Sequence, residues 1–261
     1  MTRILLLLLA VSHIGLALDA KHAQTVVSVL SPLAYGPTCW SSVQLQNLGT
    51  ARATVNVEGH KGSGALVALV GATSVNLTLE PGQKVTLRLD VPDEESPEGW
   101  VRIRESVAEA TEPTVAVSGQ TECHDDNHVT TVAQTVAFPT QDPWLAAAVD
   151  DLPGRLLMIL NASNRAATAT ACYSTGSTVT LPGTDGGVVE ATPLCAEKRL
   201  LQIPPFGTTT LPIVSGGNSR FGITTNGASL VLRVLVPQHG GTKTYEVDSS
   251  VKFGEPVADH R

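Results

Sequence analysis

The sequence predicts an all-β protein made of two tandem β-sandwiches, and three observations carry that expectation. Apolar and polar residues alternate in short runs, as at Val43 and Leu45 and again at Val55 and Val57. A period of two sends one set of side chains into a core and the other into solvent. The composition is rich in Val, Thr, Ser and Gly, with 23 Gly and 16 Pro. Val and Thr suit pleated, half-buried surfaces, whereas Gly and Pro supply turns and interrupt helices. Finally, one series of blocks occurs twice in the same order, which is the mark of an architecture built from a repeated unit.

The first 20 residues, MTRILLLLLAVSHIGLALDA, have the layout of a signal peptide. One basic residue precedes an apolar run from Ile4, and small residues at Ala17 and Ala20 offer cleavage sites. A membrane anchor needs about 20 apolar residues, and His13 and Asp19 interrupt this run too early. No Cys follows it to carry a lipid, and no later run is long enough to span a bilayer. The mature chain is therefore expected to be secreted, periplasmic or on the cell surface, with no membrane span.

Two domains are expected, over 24–138 and 139–256, with the boundary near the Pro-interrupted connector "FPTQDPW" (138–144). In the first, "SVQLQNLGTARATVNVEG" (42–59), "LEPGQKVTLRL" (79–89), "GWVRIRE" (99–105) and "TVAVSGQTECHDDNHVTTVAQTVAF" (114–138) read as strands separated by the turns "NLGT", "PGQK" and "PEG". In the second, "LMILNASNRAATATACYS" (157–174), "IPPFGTTTLPI" (203–213), "RFGITTN" (220–226) and "SLVLRVLVPQHGGTKTYEVDSSVKF" (229–253) repeat the series, with Asn161 matching Asn47. Only "WLAAAVDDL" (144–152) reads as a short helix or turn. Pro81-Gly82 and Pro205 sit just before strands, where a missing N–H is tolerated. Trp40 and Trp100 lie where a sandwich core wants them, and Trp144, in the connector, is the candidate interface residue.

The order "WSSVQLQNLGTARATVNV … LTLEPGQKVTLRL … GWVRI … VAVSGQ" resembles the immunoglobulin-like β-sandwich repeats found in tandem in many secreted bacterial proteins. The likeness covers the first half well. In the second half, Arg220-Phe221-Gly222 replaces Gly-Trp-Val, and "GRLLMILN" lacks the earlier Trp. It implies two immunoglobulin-like domains in an extracytoplasmic setting. It implies no reaction, since such repeats share no catalytic residues.

Four Cys in an exported chain read first as disulfides. Three pairings are open; Cys39–Cys123 and Cys172–Cys195 keep each bridge inside one repeat. No Cys-x-x-Cys is present, so neither a zinc ribbon nor a thioredoxin-type motif is indicated.

The most chemical stretch is "CHDDNH", Cys123 to His128. Its duplicate carries His239-Gly240-Gly241-Thr242 in place of His124-Asp125-Asp126-Asn127. Gly-Gly between alternating runs marks a two-residue hairpin turn, and Asp and Asn are the next most tolerant residues there. The first reading is thus a hairpin tip, with His124 opposite Asn127 and Cys123 opposite His128. The second is a metal site of His124, His128 and Asp125 or Asp126, since imidazole and carboxylate suit zinc or a similar ion.

The net charge of −7 argues against nucleic-acid binding, which needs a Lys/Arg surplus. There is no G-x-S-x-G elbow, no H-E-x-x-H and no phosphate loop. The sequons at Asn76 and Asn161 are expected to be unmodified, and "PDEESPE" (92–98) to be a solvated acidic loop. The expected function is a non-catalytic structural or adhesion-type module that presents loops or sheet edges to a protein or cell-surface partner, without a cofactor. A glycan- or metal-binding module is the alternative, and a secreted hydrolase the third choice.

Overall fold

The computed structural model describes residues 23–69, 72–89, 96–108, 113–125, 128–140, 144–146, 155–174, 179–182, 188–191, 197–212, 220–237, 245–247 and 253–254. Residues 1–20, expected to form a signal peptide, lie outside them, as do residues 92–95 of the expected acidic loop. Among the described residues the chain is all-β. It has strands and turns only, and no helix long and apolar enough to cross a membrane.

The first half runs β1 (Ala23–Tyr35), β2 (Cys39–Asn47), β3 (Ala53–His60), β4 (Leu66–Val67), β5 (Ser74–Leu79), β6 (Lys84–Arg88), β7 (Ser96–Ala108), β8 (Val115–Asp125), β9 (His128–Gln134) and β10 (Val136–Ala137). One antiparallel sheet has the order β10-β1-β7-β3-β4, with β5 also on β3, and a second has the order β6-β2-β8-β9. The second half runs β11 (Trp144–Ala146), β12 (Leu156–Asn161), β13 (Ala167–Ser174), β14 (Val179–Pro182), β15 (Val188–Ala191), β16 (Glu197–Ile203), β17 (Thr208–Pro212), β18 (Arg220–Thr225), β19 (Leu230–Pro237), β20 (Tyr245–Val247) and β21 (Phe253–Gly254). Its sheets are β16-β13-β18-β11-β21 and β17-β12-β19-β20, beside the separate hairpin β14-β15.

Leaving aside β4 and the β14-β15 hairpin, the two halves have the same pairing, strand for strand, as a duplication requires. The segment 144–152, expected to be a helix or turn, begins as β11, which pairs with β18 and β21 as β1 pairs with β7 and β10. The block 99–105 does not lie on 220–226 as read. Val57 pairs with Ile103, and its counterpart Ala171 pairs with Ile223, not Thr224. A slip of one residue would turn every side chain to the opposite face.

The repeated loops share one device. Asn47, fully buried, donates from Nδ2 to the carbonyls of Ala51 (2.8 Å) and Leu79 (2.9 Å), and its Oδ1 accepts the Gly49 N–H (2.8 Å). Asn161, equally buried, donates to Arg165 (2.7 Å) and Pro204 (2.9 Å) and accepts the Ser163 N–H (3.0 Å). The turn each Asn braces has Pro second and a positive φ third: Pro81-Gly82 (φ 76) and Pro205-Phe206 (φ 56). Asn47→Ala strands several backbone groups at once and is expected to cost about 2–3 kcal/mol in urea unfolding, since each unmet buried group costs roughly 1–3 kcal/mol. A loss below 0.5 kcal/mol by the same assay would mean the brace does not hold the turn.

Among the described residues the core lies in three large clusters and a small one around the Cys39 and Cys123 side chains. The first draws Val43, Leu45, Val55, Val57 and Ile103 from both sheets of the first half, and the second draws Leu157, Ile159, Ile223 and Leu232 from both sheets of the second. The third joins the halves: Val29 and Trp100 of the β1/β7 sheet meet Met158, Leu160, Val231 and Leu235 of the β12/β19 sheet. Trp100 is thus buried as expected, but in the junction and not in the first core. Trp40, also expected in the core, is half-buried on the outer face of the β2 sheet.

Candidate functional site

The β8–β9 hairpin, where the sequence points first, is built on a clamped base. Cys39 and Cys123 are direct partners on β2 and β8 and form the expected disulfide. Both are buried beside Ala34, and Ser41 Oγ beneath them meets Thr121 Oγ1 at 2.7 Å. Alternation then sends Trp40, Glu122 and His124 to the opposite, solvent-facing side. The Trp40 and His124 rings stack with centroids 4.5 Å apart, Arg88 from β6 places its guanidinium 5.0 Å from the Trp40 centroid, and His124 Nε2 lies 2.7 Å from Glu122 Oε1. The result is a stiff patch of one aromatic, two cationic or titratable groups and one carboxylate.

The hairpin register differs from the one read in the sequence. Asp125 pairs with His128, His124 with Val129 and Cys123 with Thr130. The connecting residues are therefore Asp126-Asn127, one position later than the Gly-Gly comparison gave. Of the four candidate ligands, the structure brings His124 onto Trp40 and Glu122. Asp126 and the side chains of Asp125 and His128 lie outside the described residues. Cys123 is committed to its disulfide, and among the described residues no group of three or more His, Cys, Asp or Glu converges. Cys195 and the Cys172 side chain are also outside the described residues, as is the side chain of Trp144, whose backbone pairs with Ile223. The described connector residues 138–140 meet the second half at Thr140, which exchanges hydrogen bonds with Leu230.

A second arrangement, at the junction, was not read from the sequence. His60 from β3 stacks on Trp100 from β7 (4.3 Å) and lies 4.9 Å from Phe206, which the second half contributes. Trp100 Nε1–H donates to the Phe206 carbonyl (3.0 Å), and Thr208 N–H donates to Gly62 (2.7 Å). The Arg102 guanidinium lies over the Phe206 ring at 4.4 Å and pairs with Glu58, whose second oxygen takes Arg104 Nη2 at 2.7 Å. Desolvation alone would raise the Glu58 pKa, but the two guanidinium groups more than offset it and hold the carboxyl below its ordinary value. One signal was available: where the first repeat has Gly82, the second has Phe206, a bulky ring in a backbone region that favours glycine.

A groove of about 540 Å³ opens between β1, β7 and β8, lined by Val26, Ser28, Glu105, Val117 and Val136 and bordered by Phe138. The Glu105 carboxylate accepts the N–H groups of Thr114 (2.8 Å) and Val115 (3.2 Å) at the start of β8. Among the described residues, the edge of β1 beside this groove pairs with β10 at Val29 and Leu30 only.

No protein-family model matches the chain, and no curated protein or solved structure is significantly similar to it.

Proposed function

We propose that the chain is an exported, non-catalytic structural or adhesion-type module. Two immunoglobulin-like β-sandwich domains, 24–138 and 139–256, would present loops or sheet edges to a protein or cell-surface partner. The observation that carries this reading is the β8–β9 hairpin end, where a disulfide, a ring stack and the His124–Glu122 hydrogen bond hold an exposed patch on the sheet. Loops on rigid scaffolds are the usual place for recognition. The apolar leader and the buried disulfide fit an oxidising, extracytoplasmic compartment, and the β1 edge, which among the described residues pairs with β10 over two residues, would offer a strand to a partner.

The test is saturable binding of the labelled mature protein to cells or envelope material of the organism that exports it. The variant W40A/R88A/H124A is expected to weaken binding about tenfold or more, equivalent to about 1.4 kcal/mol, while remaining fully folded at the temperature of the assay. Binding that ignores these substitutions sinks the reading of the patch. The metal alternative is decided by elemental analysis before and after H124A/H128A: a stoichiometric ion lost in the double variant makes this a metal-binding module.

A further inference from the structure

The junction holds a buried histidine with one polar atom left over. His60 is 1% exposed, its Nδ1 lies 3.4 Å from the Gly64 carbonyl, and its Nε2 has no hydrogen-bond partner. The nearest carboxylate oxygen, Glu58 Oε2, is 3.7 Å away and already receives Arg102, while Oε1 receives Arg104. A neutral ring with its proton on Nδ1 satisfies Gly64 and leaves Nε2 as an acceptor facing no donor. The other charged groups nearby are Lys61 in the following loop and Glu98, which packs against Gly62. The Pro204–Thr208 segment of the second half brings none.

We infer that His60 is a pH-sensitive latch between the two halves. When neutral, it clamps the Pro204–Gly207 turn against β7. When protonated, it releases that turn so that the imidazolium reaches water.

The physical reason is the cost of a charge in this stack. Protonation places a cation against Trp100 and Phe206, near the Arg102 guanidinium, on a ring that is almost wholly shut off from solvent. Burial, aided by Arg102, holds the His60 pKa below the ordinary imidazole value against the opposing pull of Gly64 and Glu58. An opened corner binds the proton at about pH 6.5, and the closed corner only at lower pH. Closure is therefore at full strength above about pH 6.5 and weakens as pH falls below it. Glu58 acts in the same direction, but only in the acid range below the ordinary carboxyl value. The side chains of Val29, Met158, Leu160, Val231 and Leu235 do not titrate, so the rest of the junction holds while the corner opens. The positive φ of Phe206, uncommon for a residue with a side chain, favours release once the ring contacts loosen.

Amide hydrogen exchange tests the latch on the full mature chain. The Thr208 N–H, closed onto Gly62 at 2.7 Å, reports the corner. After correction for intrinsic exchange rates, its protection is expected to fall several-fold between about pH 7.5 and 5.5, spanning the ordinary His value. In H60F, which keeps a stacking ring and removes the titration, protection should stay flat over the same range. A flat wild type, or an equal fall in H60F, overturns the inference. Because H60F disturbs a buried site, an NMR titration of the wild-type His60 ring supplies an independent reading. Its midpoint must lie below the ordinary imidazole value, as a ring that is protonated mainly on opening requires, and a midpoint at or above that value overturns the latch as well.

Discussion

Trp100→Ala is expected to lower the unfolding free energy by about 3–5 kcal/mol, the usual range for deleting a buried Trp. The side chain is fully buried, so its removal opens a cavity between the β1/β7 and β12/β19 sheets. It also removes the His60 stack and the Nε1–H bond to Phe206. Trp40→Ala is the control, because that ring lies half-buried on an outer face; its cost is expected near 1 kcal/mol, the middle of the range for ordinary substitutions. Trp100→Phe separates the two contributions, keeping an apolar ring and losing about 1 kcal/mol for the missing hydrogen bond. Urea unfolding of the three variants decides it. Equal losses for Trp100→Ala and Trp40→Ala would show that the junction does not hold the halves together.

Removing the disulfide by C39S/C123S is expected to cost about 2–5 kcal/mol. The bridge joins residues 84 apart in sequence, and closing a loop of that length restricts the unfolded chain by roughly 4–5 kcal/mol in the chain-entropy treatment. The native contacts around it are modest: Ala34 on one side and the Ser41–Thr121 pair beneath. Most of the effect should therefore arise in the unfolded state. In a C172S/C195S background, protein unfolded with and without reductant should show the same loss as the double variant. A shift below 1 kcal/mol, small against the 2–5 kcal/mol usual for a native disulfide, would mean that strand pairing alone fixes β2 against β8.

Particular residues show how far the sequence could be read. The alternation at Val43, Leu45, Val55, Val57 and Ile103 gave the first core, and all five lie in it. The repeated Asn47 and Asn161 gave the matching loops, which share their hydrogen bonding. The stacking of the halves was also written there but was not read. Gln44 and Gln46 of β2 correspond to Met158 and Leu160 of β12, and Ala116 and Gln120 of β8 to Val231 and Leu235 of β19. A strand with apolar residues on both faces has both faces buried, and "LLMILN" and "LVLRVLV" are such strands. The same comparison explains why the outer β2 face stays open, since it carries polar residues where its duplicate is apolar.

The sequence by itself determined the all-β class, the positions of the main turns and the alternating residues that fill the first inner core, although it missed β11. These follow from side-chain period and local backbone preference, which neighbouring residues impose on one another. Only the tertiary structure decided that Trp100 serves the junction while Trp40 faces outward. It also decided that His124 meets Trp40 and Glu122, and that His60, Arg102 and Phe206 meet at all. Phe206 is 106 residues from Trp100, and no local rule relates them. Their contact exists because two apolar sheet faces bury each other, and that choice is made between surfaces and not along the chain.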